Sequence, residues 1–172
     1  MSRPLVHGYH PYKMAKFGQF PDSYVEAKVV QEQMKNPDWE YFQLTDKTPI
    51  AAFTKYLDAN GLEYDPANLE TIALDAYPTI IALKDYYNRP RPSQMLDGVD
   101  IIKSPTANSP SYPSGHALQS YLLAEYLSRK YPWRRWTFFQ IADRVGNSRV
   151  SMGLHYPSDN SFAFEVHKWM IA

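Results

Sequence analysis

Apolar residues return at helical spacing along most of the chain, and no stretch alternates apolar with polar positions as a half-buried strand does. The clearest stripe is Leu69, Ile72, Ala73, Ala76, Tyr77, Ile80 and Ile81. Asp65-Pro66 opens it with a capping carboxylate and a proline at the first helical position, where no backbone N–H is needed. Pro78 falls inside the run and predicts a kink. Lys84 follows Ile80 by four residues and Tyr77 by seven, so it extends the inward face. A lysine there needs a partner or an anion, unless its stem lies along the stripe and its head escapes to water.

Further helices are predicted over 22–35, with Val25, Val29 and Met34 as the apolar contacts and Asn36-Pro37 as the stop, and over 49–59, stopped by Asn60-Gly61. Others follow at 114–130, 133–152 and 158–169. Residues 1–21 carry Pro4, Gly8, Pro11, Gly18 and Pro21 between aromatics and read as an irregular arm. Pro90 and Pro92 bar helix and push Arg89 and Arg91 toward extended backbone. Residues 93–112 then read as loop, and a loop that long in a compact domain usually carries function. The pattern as a whole predicts an all-α protein, a single-domain helical bundle over 1–172.

Composition narrows the function. Eighteen basic and eighteen acidic residues leave a formal net charge of zero, so no global pull toward nucleic acid or an anionic surface is expected. The apolar stretches are broken by Asp75, Lys84, Glu125 and Arg129, short of the roughly 18–20 residues a membrane span takes. Met1-Ser2-Arg3-Pro4 carries no apolar signal core, which predicts a cytoplasmic protein. Cysteine is absent, so disulfide and thiolate chemistry are excluded. Tyrosine dominates the aromatics and is expected at the core boundary, ring inward and hydroxyl paired.

Against this background three short motifs stand out. They are Lys84 followed after six residues by Arg91-Pro92; Pro113-Ser114-Gly115-His116; and Ser148-Arg149, then His155 and Asp159. Hydrolysis of a phosphate ester without a metal requires cations for the equatorial oxygens, an in-line nucleophile and an acid for the departing oxygen. Lys84, Arg91 and Arg149 supply the first, the arginines through a planar fork that pairs two oxygens at once. Ser114-Gly115 precedes an apolar run and so reads as a helix N-terminus, where unpaired amides face incoming anions and a glycine lets them approach. The plainer reading of Ser114 is a helix cap alone. His155 and Asp159 are four apart, so the carboxylate can accept one imidazole N–H and leave the other nitrogen as a lone pair. The plainer reading is a surface histidine followed by a capping aspartate.

The three motifs resemble the signature of the type 2 phosphatidic acid phosphatase (PAP2) and vanadium haloperoxidase superfamily, and Leu154-His155-Tyr156-Pro157-Ser158-Asp159 is also similar to it. The resemblance runs from about Lys84 to Asp159. It implies a helical fold, a phosphohistidine intermediate and no metal or other cofactor. It also implies that His155 is the nucleophile, with His116 left to protonate the leaving group and then to assist water. The family includes multi-span lipid phosphatases, from which a chain without an apolar span departs. It also includes soluble acid phosphatases, which are usually exported.

The reading is therefore a phosphatase acting on small phosphomonoesters, with nucleotides, sugar phosphates and diphosphates as candidate substrates. The catalytic set is His155, His116 and Asp159, and the phosphate-binding set is Lys84, Arg91, Ser114, Gly115 and Arg149. The alternatives are a vanadate-dependent haloperoxidase, disfavoured by the short chain, and a non-catalytic phospho-ligand binder. His7, His10 and His167 have no metal-ligand spacing with a carboxylate. Arg134-Arg135 reads as a solvated helix start. A last helix that ends soon after Asp159 leaves a wall of the bundle to a second subunit, which points to a possible homodimer.

Overall fold

A computed structural model describes residues 17–99, 104 and 107–172. Among them every regular element is helical, and the fold is all-α. In chain order the helices are α1 (Ser23–Gln33), α2 (Trp39–Thr45), α3 (Ile50–Ala59), α4 (Pro66–Tyr87), α5 (Pro92–Met95), α6 (Gly115–Lys130), α7 (Arg135–Ser151) and α8 (Pro157–Ile171). A 3₁₀ turn, Pro132–Arg134, leads into α7. No described helix is long and apolar enough to cross a membrane.

Helix α6 is the axis. Its residues Ala117, Leu118, Tyr121, Leu122, Leu123, Ala124 and Leu127 are all buried, so it presents apolar surface nearly all round. It packs on α4, α7 and α8. Those helices return Leu69, Ile72, Ala76, Ile80 and Leu83, then Phe138 and Ala142, then Phe162, Ala163, Val166 and Met170. Each buried Leu, Ile or Phe is worth about 1.5–3 kcal/mol, so this apolar contact dominates the fold.

Local signals set the helix ends. Asp65 caps α4 through the Ala67 amide at 2.9 Å, and α4 runs on through Pro78 to Asn88, whose left-handed φ of 47° ends it. Ser114 accepts from the Ala117 amide at 3.3 Å and opens α6.

Several expectations are corrected. Val25 and Val29 do not anchor α1; they are largely exposed, while Ser23, Ala27 and Val30 are buried. That face is chosen because Ser23 and Glu26 bond inward, as described below. Tyr77 is 58% exposed, because the buried seam of α4 follows Leu69, Ile72, Ala73, Ala76, Ile80 and Leu83 and leaves Tyr77 on its flank. Pro92 does not bar helix; it occupies the first position of the short α5, inside the segment expected to be loop. Helix α2, capped by Asp38, was not foreseen at all. Helix α8 ends at Ile171, two residues beyond the expected end. Of the N-terminal arm, residues 1–16, with His7 and His10, lie outside the described residues. Phe17 and Phe20 follow without helix and lay their rings edge-on to Phe162 and Tyr112.

The turn from α7 to α8 bears directly on the site. Leu154 N–H bonds the Arg149 carbonyl at 3.0 Å and Gly153 N–H bonds that of Val150 at 2.9 Å, a Schellman stop with Gly153 at φ 78°. A Cβ there would also meet Met34 Sδ at 3.0 Å and Val99 Cγ1 at 3.1 Å. Gly153→Ala should therefore destabilise the protein by about 1–2 kcal/mol or more. Urea unfolding measures it, and an unchanged midpoint would show that the turn tolerates a side chain.

Candidate active site

The C-terminal ends of α4 and α7 and the N-terminal ends of α6 and α8 meet at one pole of the bundle. This follows from antiparallel neighbours: a short turn joins α7 to α8, and the segment 88–114 returns the chain from α4 to α6. The three sequence motifs sit on these four ends and on the proline-rich segment after α4, and so come together.

His155 is buried, and its Nδ1 lies 2.8 Å from Asp159 Oδ2. The same oxygen accepts from the Tyr156 amide at 3.0 Å and from the Ser111 hydroxyl. On the other side of the ring, Arg91 Nη1 lies 3.0 Å from Nε2. A guanidinium can only donate, so Nε2 carries the lone pair and Nδ1 the hydrogen. Burial and the nearby Arg91, Lys84 and Arg149 hold the imidazole well below its usual pKa, and it is neutral.

The cations are confined by protein oxygens. Arg91 also donates to the carbonyls of Ser109 and Leu154, each at 2.8 Å, and burial lowers it to about 10, so it stays charged. Lys84 is buried rather than snorkelling and donates to the Pro110 carbonyl at 2.7 Å. Burial first, and then Arg91, lowers its pKa, while Asp159 works the other way. Arg149 Nη1 pairs with Asp46 Oδ1 at 3.1 Å. Cations packed this closely, some of them with only neutral carbonyl partners, favour an anion arriving among them.

Ser114 is fully buried and does cap α6. Its hydroxyl hydrogen remains available for an anion. The Gly115 and His116 amides find no carbonyl acceptor among the described residues, as the first amides of a helix do not. Gly115 has a packing role as well, since a Cβ would press on Ile80 Cγ2 at 3.3 Å. His116 Nε2–H donates to the Asp46 carbonyl at 2.9 Å. Burial, with Arg149 second, pushes its pKa down to about 3, so it too is neutral.

Lys84, Gly115, His116 and His155 line one cavity of about 420 Å³. Its outer wall is Tyr77, Ile80 and Ile81 opposite Gln119, with Lys47 and Asn108 also lining it. Among the described residues no three His, Cys, Asp or Glu side chains converge as a metal site.

Sequence reasoning missed three polar residues here. Asp46, at the end of α2, touches Arg149, His116 and Ser104 at once. Nothing local marks it, because its partners lie at least fifty-eight positions away. Ser111 sits in the segment read as loop. Arg89 is fully buried on Asp159. It had a signal: in an extended, proline-fixed stretch, residues two apart share a face, so Arg89 and Arg91 belong together.

Fold and site define an all-α protein built around a buried, carboxylate-oriented histidine at a cationic pole. The chain belongs to the PAP2 superfamily: the family model matches residues 69–165, more than half of its length. Members are generally phosphatases, and the membership points to phosphatase-type activity. No curated protein matches the chain.

Proposed function

We propose that this protein hydrolyses small phosphomonoesters through a phosphohistidine formed on His155, with no metal. The observation that carries the reading is the His155 geometry: Nδ1 held by buried Asp159 at 2.8 Å, and Nε2 bare among Arg91, Lys84 and Arg149. In the first step Nε2 attacks phosphorus, the bond to the ester oxygen breaks, and His116 gives that oxygen a proton. In the second, water attacks phosphorus, its proton passes to His116, the N–P bond breaks and phosphate leaves. Arg91, Arg149, Lys84 and the amides of Gly115 and His116 hold the equatorial oxygens. Arg91 shifts its Nη1 donor from Nε2 to an oxygen as the phosphoryl group enters.

His116 must first gain a proton. The phosphoryl dianion supplies the negative charge whose lack, together with burial, keeps this histidine neutral. The ester's organic part lies along Tyr77, Ile80, Ile81 and Gln119, where a nucleoside or sugar can rest.

A screen of nucleotides, sugar phosphates, lipid phosphates and diphosphates, run with chelator, tests the reading. Turnover should survive chelation. Loss on chelation, restored by magnesium or zinc, would point to a metal mechanism. Turnover of no ester would leave a binding protein, and bromide oxidation by peroxide after vanadate addition would make it a haloperoxidase. Vanadate becomes five-coordinate and mimics the phosphoryl transition state, so it should inhibit competitively. Arg149→Ala should weaken that inhibition by roughly 10–100-fold, the effect of losing a charged hydrogen bond. Equal inhibition of both proteins would remove Arg149 from the site.

A further inference from the structure

Arg89 occupies one of the six unspecified positions of the first motif, and it is one of the largest side chains with no solvent exposure. Its Nη1 donates to Asp159 Oδ1 at 2.9 Å and to Ser158 Oγ at 2.7 Å. Its Nε donates to Ser23 Oγ on α1 at 3.0 Å. Glu26 Oε2, also on α1, lies 3.7 Å from Nη2, while Glu26 Oε1 accepts from both the Ser158 amide and hydroxyl. The guanidinium stacks 3.7 Å from the Tyr156 ring centroid. Arg89 is thus clamped by α1 and by the start of α8, and it faces the Asp159 oxygen opposite the one His155 uses.

We propose that Arg89 is a positioning residue: by holding Asp159 as a carboxylate it fixes the protonation pattern of His155 and keeps Nε2 bare. This role rests on His155 being the nucleophile. Oδ2 is the stronger acceptor for the Nδ1 hydrogen while the carboxyl is ionised, and Arg89, a donor only, keeps a proton off Oδ1. A carboxyl protonated on Oδ2 bonds Nδ1 by donating, which requires Nδ1 bare and moves the ring hydrogen to Nε2. A ring of that form has no lone pair for phosphorus. Asp159 is completely buried, and burial favours its neutral form. Burial does raise its pKa above the carboxylate range, and Arg89 is the largest influence opposing this. Other charged and titratable groups face the pair from every packed element. These are Lys84 on α4, Arg91 in the following segment, Tyr112 before α6, His116 on α6, Arg149 on α7, Tyr156 beside α8 and Glu26 on α1. Of the cations among the described residues, Arg89 alone forms an ion pair with Asp159 within 4 Å.

The sign follows. Without the Arg89 charge the Asp159 pKa rises further, so the bare-Nε2 form is lost at higher pH. Two variants separate charge from packing: Arg89→Gln keeps hydrogen-bonding capacity without charge, and Arg89→Lys keeps charge. Nitrogen NMR of labelled His155 should show the Nδ1–H form in the wild type at pH 7. In Arg89→Gln the pH midpoint for losing it should move up by about one unit or more, with Arg89→Lys much nearer the wild type. The acid limb of kcat/KM should move by the same amount. In an Asp159→Asn background, Arg89→Gln should leave kcat/KM almost unchanged, since the relay is already broken.

Equal midpoints in wild type and Arg89→Gln, or equal shifts in the Gln and Lys variants, would overturn the proposal. So would a wild-type His155 carrying its hydrogen on Nε2, which is decisive even where a variant fails to fold. The spectra need no substrate. An inactive wild type with the expected spectra would therefore sink the phosphatase reading and leave Arg89's influence on the pair standing.

Discussion

His155→Ala should abolish turnover, lowering kcat/KM on the order of 10⁶-fold, the scale of deleting a covalent nucleophile. The reason is geometric. The other groups proposed to face the phosphoryl group are cations, amide donors, the Ser114 hydroxyl and His116, and His116 directs its hydrogen to the Asp46 carbonyl at 2.9 Å. None can replace the lone pair that Asp159 orients. The substitution also removes the partner of Arg91 Nη1 but leaves that nitrogen bonded to the Leu154 carbonyl at 2.8 Å. Asp159 keeps Arg89, Ser111 and the Tyr156 amide. The fold should therefore survive, and circular dichroism with a thermal scan checks it. Acid quenching with labelled substrate should trap phosphoenzyme in the wild type and none in the variant. Labelled phosphate on folded His155→Ala would place the nucleophile elsewhere.

The second large effect separates the two histidines. An alkoxide needs a proton to leave, whereas nitrophenolate is a far weaker base and needs little help. His116→Ala should slow phosphoenzyme formation from an alkyl phosphate about 10²–10⁴-fold and from nitrophenyl phosphate much less. The measurement must be single-turnover formation, because His116 also serves the later attack of water. The His116 pKa of about 3 sharpens the test. A histidine so reluctant to charge can act as an acid only if the bound phosphoryl group raises that value. If both substrates slow equally, His116 serves as a fixed donor and positioning group, and its bond to the Asp46 carbonyl is its main task.

Much of this pole was legible along the chain. Lys84 and Arg91 are linked by a helix end and two prolines, and His155 and Asp159 by the first turn of α8. Such relations depend on backbone geometry over a few residues. The same locality made the caps at Asp65 and Ser114 and the stop at Gly61 readable, since each uses a residue type that its backbone conformation demands. The errors share the opposite cause. Val25 and Val29 are apolar residues of α1, but α1 seats itself by Ser23 and Glu26, whose partners Arg89 and Ser158 lie far along the chain. Tyr77 keeps helical register with the seam yet falls outside it, because the width of the buried face depends on which helices lie opposite.

The amino-acid sequence by itself determined an all-α chain, the helices that carry the three motifs and the residue types gathered at the pole. Those follow from periodicity, capping and spacing, which act within one or two turns. Only the tertiary structure decided that Arg89 lies under Asp159, that Asp46 bridges Arg149 and His116, and that both histidines are neutral. These depend on burial and on charges brought within 4 Å from distant segments, and Coulomb and desolvation energies at that range follow distance in space rather than separation along the chain.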